Sequence, residues 1–318
     1  MLVKKTYHNN SSFRYSIAIG NFDGIHLGHK FLLHKLREFK KTRLDRIGIL
    51  TFHPHPIKVL YPEKWKKNLI KFRTKYKLLK KNNLDTLFLI SFNKEFRNLS
   101  AVDFIEKILI KGIKVENILV GEDFKFGKNR VGDINLLLEY AKKKNFNVFH
   151  FKKRSLKGEI YSSSSIRNFL KQGNISKCNK FLGYYWEVDG RVVEGEARGR
   201  LLGYPTANIN YDYQISPSNG IYACWIKIEK EDIWRMAAIS SGIRPHYSGK
   251  KKILEIHIIN FSGNLYRKRL RVAFVKKIRN EEKFRNEEEL ILKMGTDCKE
   301  VVTVLNENIL KNDNEGQK

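Results

Sequence analysis

The stretch Ser16-Ile17-Ala18-Ile19-Gly20-Asn21-Phe22-Asp23-Gly24-Ile25-His26-Leu27-Gly28-His29 decides the fold of the first half of the chain. A short apolar strand runs into a glycine-rich turn, and an amphipathic pattern over Phe31–Phe39 predicts a helix directly after it. Backbone N–H groups at a helix start are unpaired, and the helix dipole adds partial positive charge there. The turn therefore suits a large anion, which Gly20, Gly24 and Gly28 allow close to the main chain.

Two histidines, His26 and His29, end this turn. In a site that binds a nucleoside triphosphate, their imidazoles can donate hydrogen bonds to the phosphate that is transferred. The alternative is that both are ordinary surface residues that cap the helix. The glycines and Asp23 have no packing role in this register, which favours the nucleotide site.

Strand and helix patterns alternate over the first half of the chain. Strand patterns occur at Ser16–Gly20, Arg46–Phe52, Leu84–Ser91, Asn117–Gly121 and Asn147–Lys152. Helical patterns occur at Lys30–Lys41, Phe72–Asn82, Ala101–Lys111 and Asp133–Lys144. Ser100 and Asp103 predict a capping box for the third helix. The alternation predicts an α/β fold with a parallel sheet and a ligand site at the carboxyl ends of its strands.

From about residue 183 the pattern changes to strands without intervening helices. These strand patterns are Trp186–Glu194, Ile221–Glu229, Trp234–Ser240, Ile253–Phe261 and Leu270–Ile278. A helical pattern then runs from Asn286 to about Leu310. We expect an antiparallel β-barrel with a C-terminal helix. The predicted division is one domain over residues 1–182, a barrel domain over residues 183–310 and a disordered tail over residues 311–318.

The composition is strongly basic, with 62 Lys and Arg against 33 Asp and Glu and a net charge of +29. Such a charge suggests nucleic acid as a partner. The lysines are spread in short runs among abundant Asn and Ile, as AT-rich codon usage would produce, so we expect no dedicated nucleic acid partner. The three cysteines (Cys178, Cys224 and Cys298) are far apart, which indicates a reducing compartment. Without a signal peptide or membrane span, we expect a cytoplasmic monomer or weak homo-oligomer.

A histidine motif, Thr51-Phe52-His53-Pro54-His55-Pro56, follows the second predicted strand. Two prolines hold His55 in an extended backbone, where its ring can contact a ligand. A metal site made of this motif and the two histidines of the first turn is an alternative. No nearby Cys or Glu supplies the usual partners, which argues against it.

An aromatic motif, Gly121-Glu122-Asp123-Phe124-Lys125-Phe126-Gly127, follows the fourth predicted strand. Asp123 can accept a hydrogen bond from a flat heterocycle, and the ring of Phe126 can stack on it. The alternative is an aromatic turn that packs on the sheet.

A hydroxyl-rich motif, Ser162-Ser163-Ser164-Ser165-Ile166-Arg167, closes the first predicted domain. Ser163 and Ser164 at a helix start, together with the Arg167 guanidinium, can form a phosphate clamp. A simple N-cap would explain the serines but leaves Arg167 unexplained.

The barrel carries a glycine-rich stretch, Gly190–Gly195 followed by Gly199–Asn208. Gly195, Gly199 and Gly203 let main-chain amides surround phosphates. Thr206 and Asn208 offer neutral oxygens to a hard cation such as Mg²⁺. A plain turn, the alternative, would not need both of these side chains. Farther on, alternation along a predicted strand puts Glu255 and His257 on one face.

The motifs of the first domain resemble a known family. Gly20–Gly24 with His26–His29 resembles the signature of the HxGH nucleotidyltransferases, and the three later motifs resemble segments of prokaryotic FMN adenylyltransferases. The resemblance implies a Rossmann-like domain that transfers AMP from ATP to FMN and releases pyrophosphate. It implies that His26 and His29 stabilise the transition state. The ATP-binding residues it implies are Gly20, Phe22, Asp23, Gly24, Gly28, Ser163, Ser164 and Arg167, and the flavin-binding residues are His55, Asp123 and Phe126.

The glycine-rich stretch of the barrel resembles the signature of riboflavin kinases, with Pro-Thr-Ala-Asn at Pro205–Asn208. The resemblance implies that Gly195, Gly199 and Gly203 bind ATP, that Thr206 and Asn208 hold Mg²⁺, and that Glu255 takes the proton of the riboflavin 5′-hydroxyl.

Two segments depart from the kinase pattern. Ser240–Tyr247 reads Ser-Ser-Gly-Ile-Arg-Pro-His-Tyr where the family has Asn-x-Gly-x-Arg-Pro-Thr-Phe, and Arg267 replaces the glycine of Leu-Tyr-Gly. In the first domain, Ser164 replaces a threonine and keeps the hydroxyl. The kinase departures flank the expected flavin side and leave the phosphate loop intact.

The resemblance spans roughly residues 15–305 and implies a bifunctional enzyme that uses ATP and Mg²⁺ to convert riboflavin to FMN and FMN to FAD. One alternative is an FMN adenylyltransferase with an impaired kinase domain, which His246 and Arg267 suggest. Another is a basic RNA-binding protein on a retired scaffold, against which the intact motifs argue.

Overall fold

The computed structural model describes residues 1–9, 12–195, 198–211, 213–246 and 249–309, and the side chains of residues 198 and 243–251 are not described. The chain packs as two compact units. The first consists of Met1–Lys66 and Lys75–Ser162, and the second of Lys67–Thr74 and the chain from Ser163 onward. The tail predicted to be disordered, residues 311–318, lies outside the described residues.

A six-stranded parallel sheet forms the centre of the first unit, as the alternating pattern predicts. Its strands are β1 (Leu2–Lys4), β2 (Arg14–Ile19), β3 (Asp45–His53), β4 (Thr86–Ser91), β5 (Val115–Gly121) and β6 (Asn147–Phe151). Their order in the sheet is β1-β4-β3-β2-β5-β6, and each neighbouring pair is parallel. A short antiparallel hairpin follows, made of β7 (Ser155–Leu156) and β8 (Glu159–Ile160).

Most connections between these strands are helical. The helices are α1 (Leu27–Arg37), α2 (Pro56–Leu60), α3 (Phe72–Lys80), α4 (Lys94–Arg97), α5 (Ala101–Asp103) and α6 (Ile134–Lys144). Short 3₁₀ turns lie at Pro62–Lys64 and Lys128–Arg130, and α5 continues as a π-helix over Phe104–Ile113. Ser100 caps α5 as predicted, because its hydroxyl accepts the Asp103 N–H at 2.9 Å.

The strand order reverses at β2. From β2 the chain moves outward through β3 and β4 on one side, and β5 and β6 lie on the other. Open α/β sheets bind ligands at such a switch point, in the crevice outside the carboxyl ends of the strands. The loops that follow β2, β3 and β5 therefore lie at one edge of the sheet.

Burial on both faces explains the continuous apolar pattern of β2. Its residues from Tyr15 to Ile19 are all buried, and Ile17 is fully removed from solvent. Phe104 and Ile108 of the π-helix pack in the same core cluster. Parallel strands covered on both faces have this pattern because neither face meets solvent, and the one polar residue within this buried stretch, Ser16, accepts a hydrogen bond from the Asn117 amide at 2.9 Å.

A closed six-stranded antiparallel barrel forms the centre of the second unit. Its strands are β9 (Glu187–Val193), β10 (Ala207–Asn210), β11 (Gly220–Ile228), β12 (Trp234–His246), β13 (Gly249–Ile258) and β14 (Arg269–Arg279). They follow the order β10-β13-β12-β11-β14-β9, and pairing of β9 with β10 closes the barrel. The helices of this unit are α7 (Ser163–Gln172), α8 (Ile175–Leu182), α9 (Arg198–Leu201) and α10 (Glu287–Glu307).

The predicted C-terminal helix, α10, packs on the outside of the barrel. Val301, Val304 and Leu305 lie in one buried cluster with Trp225 and Trp234 of the barrel wall. β11 can therefore be apolar on both faces, since one faces the barrel interior and the other faces α10.

The segment Lys67–Thr74 packs with the barrel rather than with the sheet. The Leu69 carbonyl accepts the indole N–H of the fully buried Trp186 at 2.7 Å and a Gln214 N–H at 2.9 Å. A buried indole needs such an acceptor. The packing boundary at Ser162 assigns α7 and α8 to the second unit, and the functional boundary at residue 182 stays a prediction. No helix in the described part of the chain has the length and apolarity needed to cross a membrane.

Arg267 has a left-handed backbone with a φ of 64°, which explains the glycine of the family pattern. We expect Arg267→Gly to raise the free energy of unfolding by roughly 0.5–1 kcal/mol, since glycine adopts this conformation without a steric penalty. Urea unfolding followed by tryptophan fluorescence measures the change. The neighbouring Lys268 has an ordinary φ, so Lys268→Gly should destabilise. Equal effects of the two variants would contradict the strain at Arg267.

Candidate active sites

The turn between β2 and α1 brings the two motif histidines together. Helix α1 begins at Leu27, and His26 is its N-cap. The Nδ1 atom of His26 accepts the backbone N–H of His29 at 3.3 Å, and the two rings stack with centroids 3.7 Å apart. A ring nitrogen that accepts a hydrogen bond carries no proton, so the proton of neutral His26 is on Nε2. The cap therefore fixes the tautomer that presents an Nε2–H donor.

Glycine residues and left-handed backbone conformations make room for the two histidine rings. A Cβ at Gly28 would lie 3.1 Å from His26 Nδ1, so glycine lets the His26 ring fold over the helix start. Gly24 has a φ of 88°, and Phe22 has a φ of 45° although it is not glycine. The buried Phe22 ring lies 4.9 Å from the His29 ring. Phe22 therefore helps to position His29, and its binding to ATP stays a prediction.

The remaining predicted residues of the turn divide by burial. Asp23 is buried with 4% of its surface exposed, whereas Gly20 is partly exposed at the end of β2. The Gly20 N–H donates to the Leu50 carbonyl at 3.1 Å, which extends the β2–β3 ladder to the start of the turn. The turn thus leaves the sheet directly at its carboxyl edge.

Burial keeps both imidazoles neutral at physiological pH. It lowers the pKa of His26 to about 4. It also lowers the pKa of His29 well below its ordinary value, with smaller electrostatic contributions from His26 and from the positive charge of Lys75. His29 Nδ1 is buried and has no hydrogen-bond partner among the described residues. Lys75 belongs to no motif that the sequence singles out, yet it lies against this turn.

The loop after β3 places its two histidines differently. His55 caps α2, since its Nδ1 accepts the Ile57 N–H at 3.2 Å, and His53 is exposed. Within the described ranges, no three His, Cys, Asp or Glu side chains are grouped as a metal site requires. The four-histidine metal alternative therefore has no structural support. The flavin contact of His55 stays a prediction.

The loop after β5 separates the two residues expected to bind flavin. Asp123 is exposed and pairs with Lys153 at 2.8 Å. Phe126 is instead buried in the core, where its ring packs on Phe104 and on Phe124. A ring in that position contacts protein on its faces, whereas Phe124 is partly exposed. The stacking of Phe126 on a flavin stays a prediction.

The predicted phosphate clamp lies on α7 and packs with the second unit. Ser163 and Ser164 are the first residues of this helix, as a clamp requires. The Arg167 guanidinium donates from Nε and Nη2 to the Lys67 carbonyl, at 3.3 and 3.1 Å. These contacts hold the arginine at the helix surface, and its binding to phosphate stays a prediction.

The glycine-rich stretch of the second unit is shaped around the two predicted metal ligands. A Cβ at Gly195 would lie 1.9 Å from the Asn208 amide nitrogen. A Cβ at Gly199 would lie 3.1 Å from the Thr206 hydroxyl and 2.5 Å from the Tyr204 carbonyl. The absent side chains thus leave space that Asn208 and Thr206 occupy. Gly203 provides a left-handed turn between Gly199 and Thr206, with a φ of 81°.

Strand register places Glu255 beside Asn208, one of the two predicted metal ligands. In the barrel Glu255 of β13 lies opposite Asn208 of β10 and opposite Ser240 of β12. Directly paired residues of antiparallel strands have Cβ atoms about 4.5–5.5 Å apart. His257, two residues on, contacts the same loop, since its Nδ1 lies 3.0 Å from the Pro205 carbonyl and must donate to it. The predicted common face of Glu255 and His257 is confirmed by the buried Leu254, Ile256 and Ile258 that alternate with them.

Ser240 to His246 of the segment that departs from the kinase pattern lie on β12. Gly242, which the family pattern keeps, has no room for a side chain, since a Cβ there would lie very close to a Glu281 carboxylate oxygen. Ser241 is fully buried and its hydroxyl has no partner among the described residues. The side chain of His246 and the whole of Tyr247 lie outside the described part of the chain.

Two family models match the chain over the two sites. One, described as FAD synthetase, matches residues 8–165, and the other, described as riboflavin kinase, matches residues 182–305. A curated relative from Buchnera aphidicola subsp. Schizaphis graminum (strain Sg), named bifunctional riboflavin kinase/FMN adenylyltransferase, is 38% identical and covers 87% of this chain and 88% of its own. The chain belongs to the bifunctional riboflavin kinase/FMN adenylyltransferase family. The resemblance of the motifs is thereby confirmed.

Other relatives agree with this membership. The family member from Escherichia coli (strain K12) is 33% identical over 88% of this chain and 90% of its own. Among solved structures, a protein from Streptococcus pneumoniae named macrolide-efflux protein has a TM-score of 0.83 and 27% identity. The alignment covers 95% of this chain and 98% of that protein. The two-unit architecture is therefore shared over nearly the whole length.

We expect acid to destabilise the first unit through His26. Below the unfolded pKa of 6.5 the unfolded chain binds a proton that folded His26, with a pKa of about 4, excludes. Stability is therefore full above pH 6.5 and falls as the pH drops toward 4, with roughly 2 kcal/mol lost at about pH 5. His26→Asn keeps a good helix cap and removes this contribution. Amide exchange of β2 and β3 peptides, corrected for intrinsic rates, measures it, and an unchanged pH dependence would refute the assignment.

Gly195→Ala should displace the Asn208 amide, because the added methyl group occupies its position. We expect riboflavin phosphorylation to fall more than about tenfold, as loss of a metal ligand does. FAD formation from FMN should be unchanged. Glu194→Ala removes the exposed side chain one residue earlier and is the matched control. If both variants phosphorylate riboflavin equally well, the Gly195–Asn208 contact does not shape the site.

Proposed function

We propose that the first unit transfers AMP from ATP to FMN at the His26–His29 turn, and that the second phosphorylates riboflavin beside Glu255. Together these steps convert riboflavin to FMN and then to FAD with release of pyrophosphate. Membership of the bifunctional family supports both activities. The observation that carries the assignment of the first site is the hydrogen bond from the His29 N–H to His26 Nδ1.

Adenylyl transfer to FMN depends on hydrogen-bond donors to the α-phosphate and does not require a general base. The FMN phosphate that attacks is already ionised at neutral pH. Negative charge grows on the α-phosphate oxygens as the new bond forms, and preorganised donors stabilise it. The His26 tautomer presents Nε2–H, and the start of α1 adds unpaired backbone N–H groups at the same turn. Because both imidazoles are neutral, they donate hydrogen bonds without transferring a full proton.

Riboflavin phosphorylation differs because the attacking group is a neutral alcohol. It must lose a proton, and we assign that step to the Glu255 carboxylate. Asn208 lies directly opposite Glu255, so the base and the phosphate-binding loop meet on adjacent strands. His257 fastens the loop through the Pro205 carbonyl.

Thr206 and Asn208 carry the neutral oxygens that Mg²⁺ takes as ligands, and the glycines at Gly195 and Gly199 leave room for their side chains. The cation would offset negative charge on the ATP phosphates when bound. The hydroxyl of Thr206 and the amide oxygen of Asn208 would hold it beside Glu255. The flavin contacts of His55 and Asp123, and the phosphate contacts of Ser163, Ser164 and Arg167, complete the proposal.

The proposed setting is the cytoplasm, with the protein a monomer or weak homo-oligomer without a dedicated nucleic acid partner. The three cysteines support a reducing compartment, since all are free and two of them, Cys178 and Cys224, are buried. No observation favours an impaired kinase. Glu255 lies opposite Asn208 in the barrel, and Arg267 has the left-handed backbone that glycine adopts readily.

The two sites should be separable by mutation. We expect His29→Ala to lower FAD formation from FMN by at least about a hundredfold and to spare riboflavin phosphorylation. Glu255→Gln should have the opposite effect, because the amide cannot take the hydroxyl proton. Purified variants incubated with Mg-ATP and either riboflavin or FMN, with the flavins resolved by chromatography, give both rates. Loss of both activities in a folded variant would refute the separation of the sites.

A further inference from the structure

Lys75 lies in the first unit at the turn that carries the histidines, although no motif marks it. It belongs to α3, and its Nζ donates to the Asn21 carbonyl at 2.7 Å. Thr51, at the end of β3, donates its hydroxyl to the same carbonyl at 3.2 Å. Asn21 is the second residue beyond β2. One backbone oxygen is therefore held from two other elements of the fold.

The carbonyl of Asn21 begins the strained part of the turn. Phe22 and Ile25 have φ values of 45° and 40°, and both side chains are buried. Left-handed conformations of bulky residues persist only where the surroundings fix them. The hydrogen bonds from Lys75 and Thr51 fix the residue immediately before Phe22, so they help to hold the backbone that leads to His26.

The Lys75 ammonium also interacts electrostatically with three ionisable groups at this edge of the sheet, which are His29, His53 and Asp23. Its charge contributes to the lowered pKa of His29, after burial and His26, and of His53, after burial and before Lys58. Burial lowers the pKa of Lys75 itself, and the negative charge of Asp23 opposes that shift. A partly buried cation close to His29 and His53 suits a polyanion that would complete the charge balance.

We propose that Lys75 is a positioning residue for adenylyl transfer, which clamps the Asn21 carbonyl and thereby holds the turn that presents His26 and His29. Its ammonium also sets a fixed positive charge at the carboxyl edge of the sheet, where the ATP phosphates bind. The inference rests on the proposed assignment of this turn to adenylyl transfer. It predicts that charge and hydrogen-bonding capacity at residue 75 both matter.

The test compares Lys75→Met and Lys75→Arg with Lys80→Met as control. Methionine keeps the length and apolar stem but has neither charge nor donor, arginine keeps both, and Lys80 is an exposed lysine of the same helix. Riboflavin phosphorylation by the same molecules serves as an internal control for concentration and integrity. The measurements are kcat and KM for FAD formation, and the pKa of His29 from NMR of ¹⁵N-labelled histidine.

We expect Lys75→Met to lower kcat of FAD formation at least about tenfold and to raise the pKa of His29. Lys75→Arg should keep most of the wild-type kcat and a His29 pKa close to the wild-type value. Lys80→Met should match the wild type in both measurements. The proposal is overturned if Lys75→Met keeps kcat within about threefold, or leaves the His29 pKa unchanged. If Lys75→Met fails to fold, Lys75→Arg decides: a loss of kcat as large as that of His29→Ala in folded protein refutes the role of the charge. Should His29→Ala retain FAD formation, the site assignment fails independently of Lys75.

Discussion

The parallel pairing of β2 with both β3 and β5 is the constraint on which the first unit depends. Because parallel strands end at the same edge, the loops after these three strands open on one crevice. The histidine turn follows β2, His55 follows β3 and Asp123 follows β5. Residues separated by about a hundred positions in the sequence thus come to one edge through register alone, and the chemistry follows from what each loop exposes there.

The candidate phosphate sites of the two units differ in their physical character. In the first, burial lowers the pKa values of His26, His29 and Lys75, so the two imidazoles are neutral before any substrate arrives. The second keeps its donors neutral and creates space instead, by omitting side chains at Gly195 and Gly199. A developing charge on a phosphate calls for preorganised donors, whereas a hydrated cation calls for room and oxygen ligands. Each unit has the residues that its step requires.

Periodicity and motifs predict most of the fold, because long apolar strands and capped helices carry strong local signals. They miss β1 and β10, of three and four residues, since such short strands depend on their partners for stability. Phe126 shows a second limit. Its burial requires Gly132, where a Cβ would lie 2.6 Å from its ring, and that contact is set by the fold of the loop. Lys75 is likewise invisible in a lysine-rich helix, since its role comes from the tertiary approach of α3 to the turn.

The strand β10 links the kinase site to the closure of the barrel. It carries Asn208, and it also joins β9 to β13 to complete the barrel. If this strand came away, two neighbours would present rows of unsatisfied backbone donors and acceptors to other chains. Exposed edges of that kind recruit strands from neighbouring molecules and lead to aggregation. A substitution that loosened β10 would therefore open the barrel to self-association as well as displace Asn208.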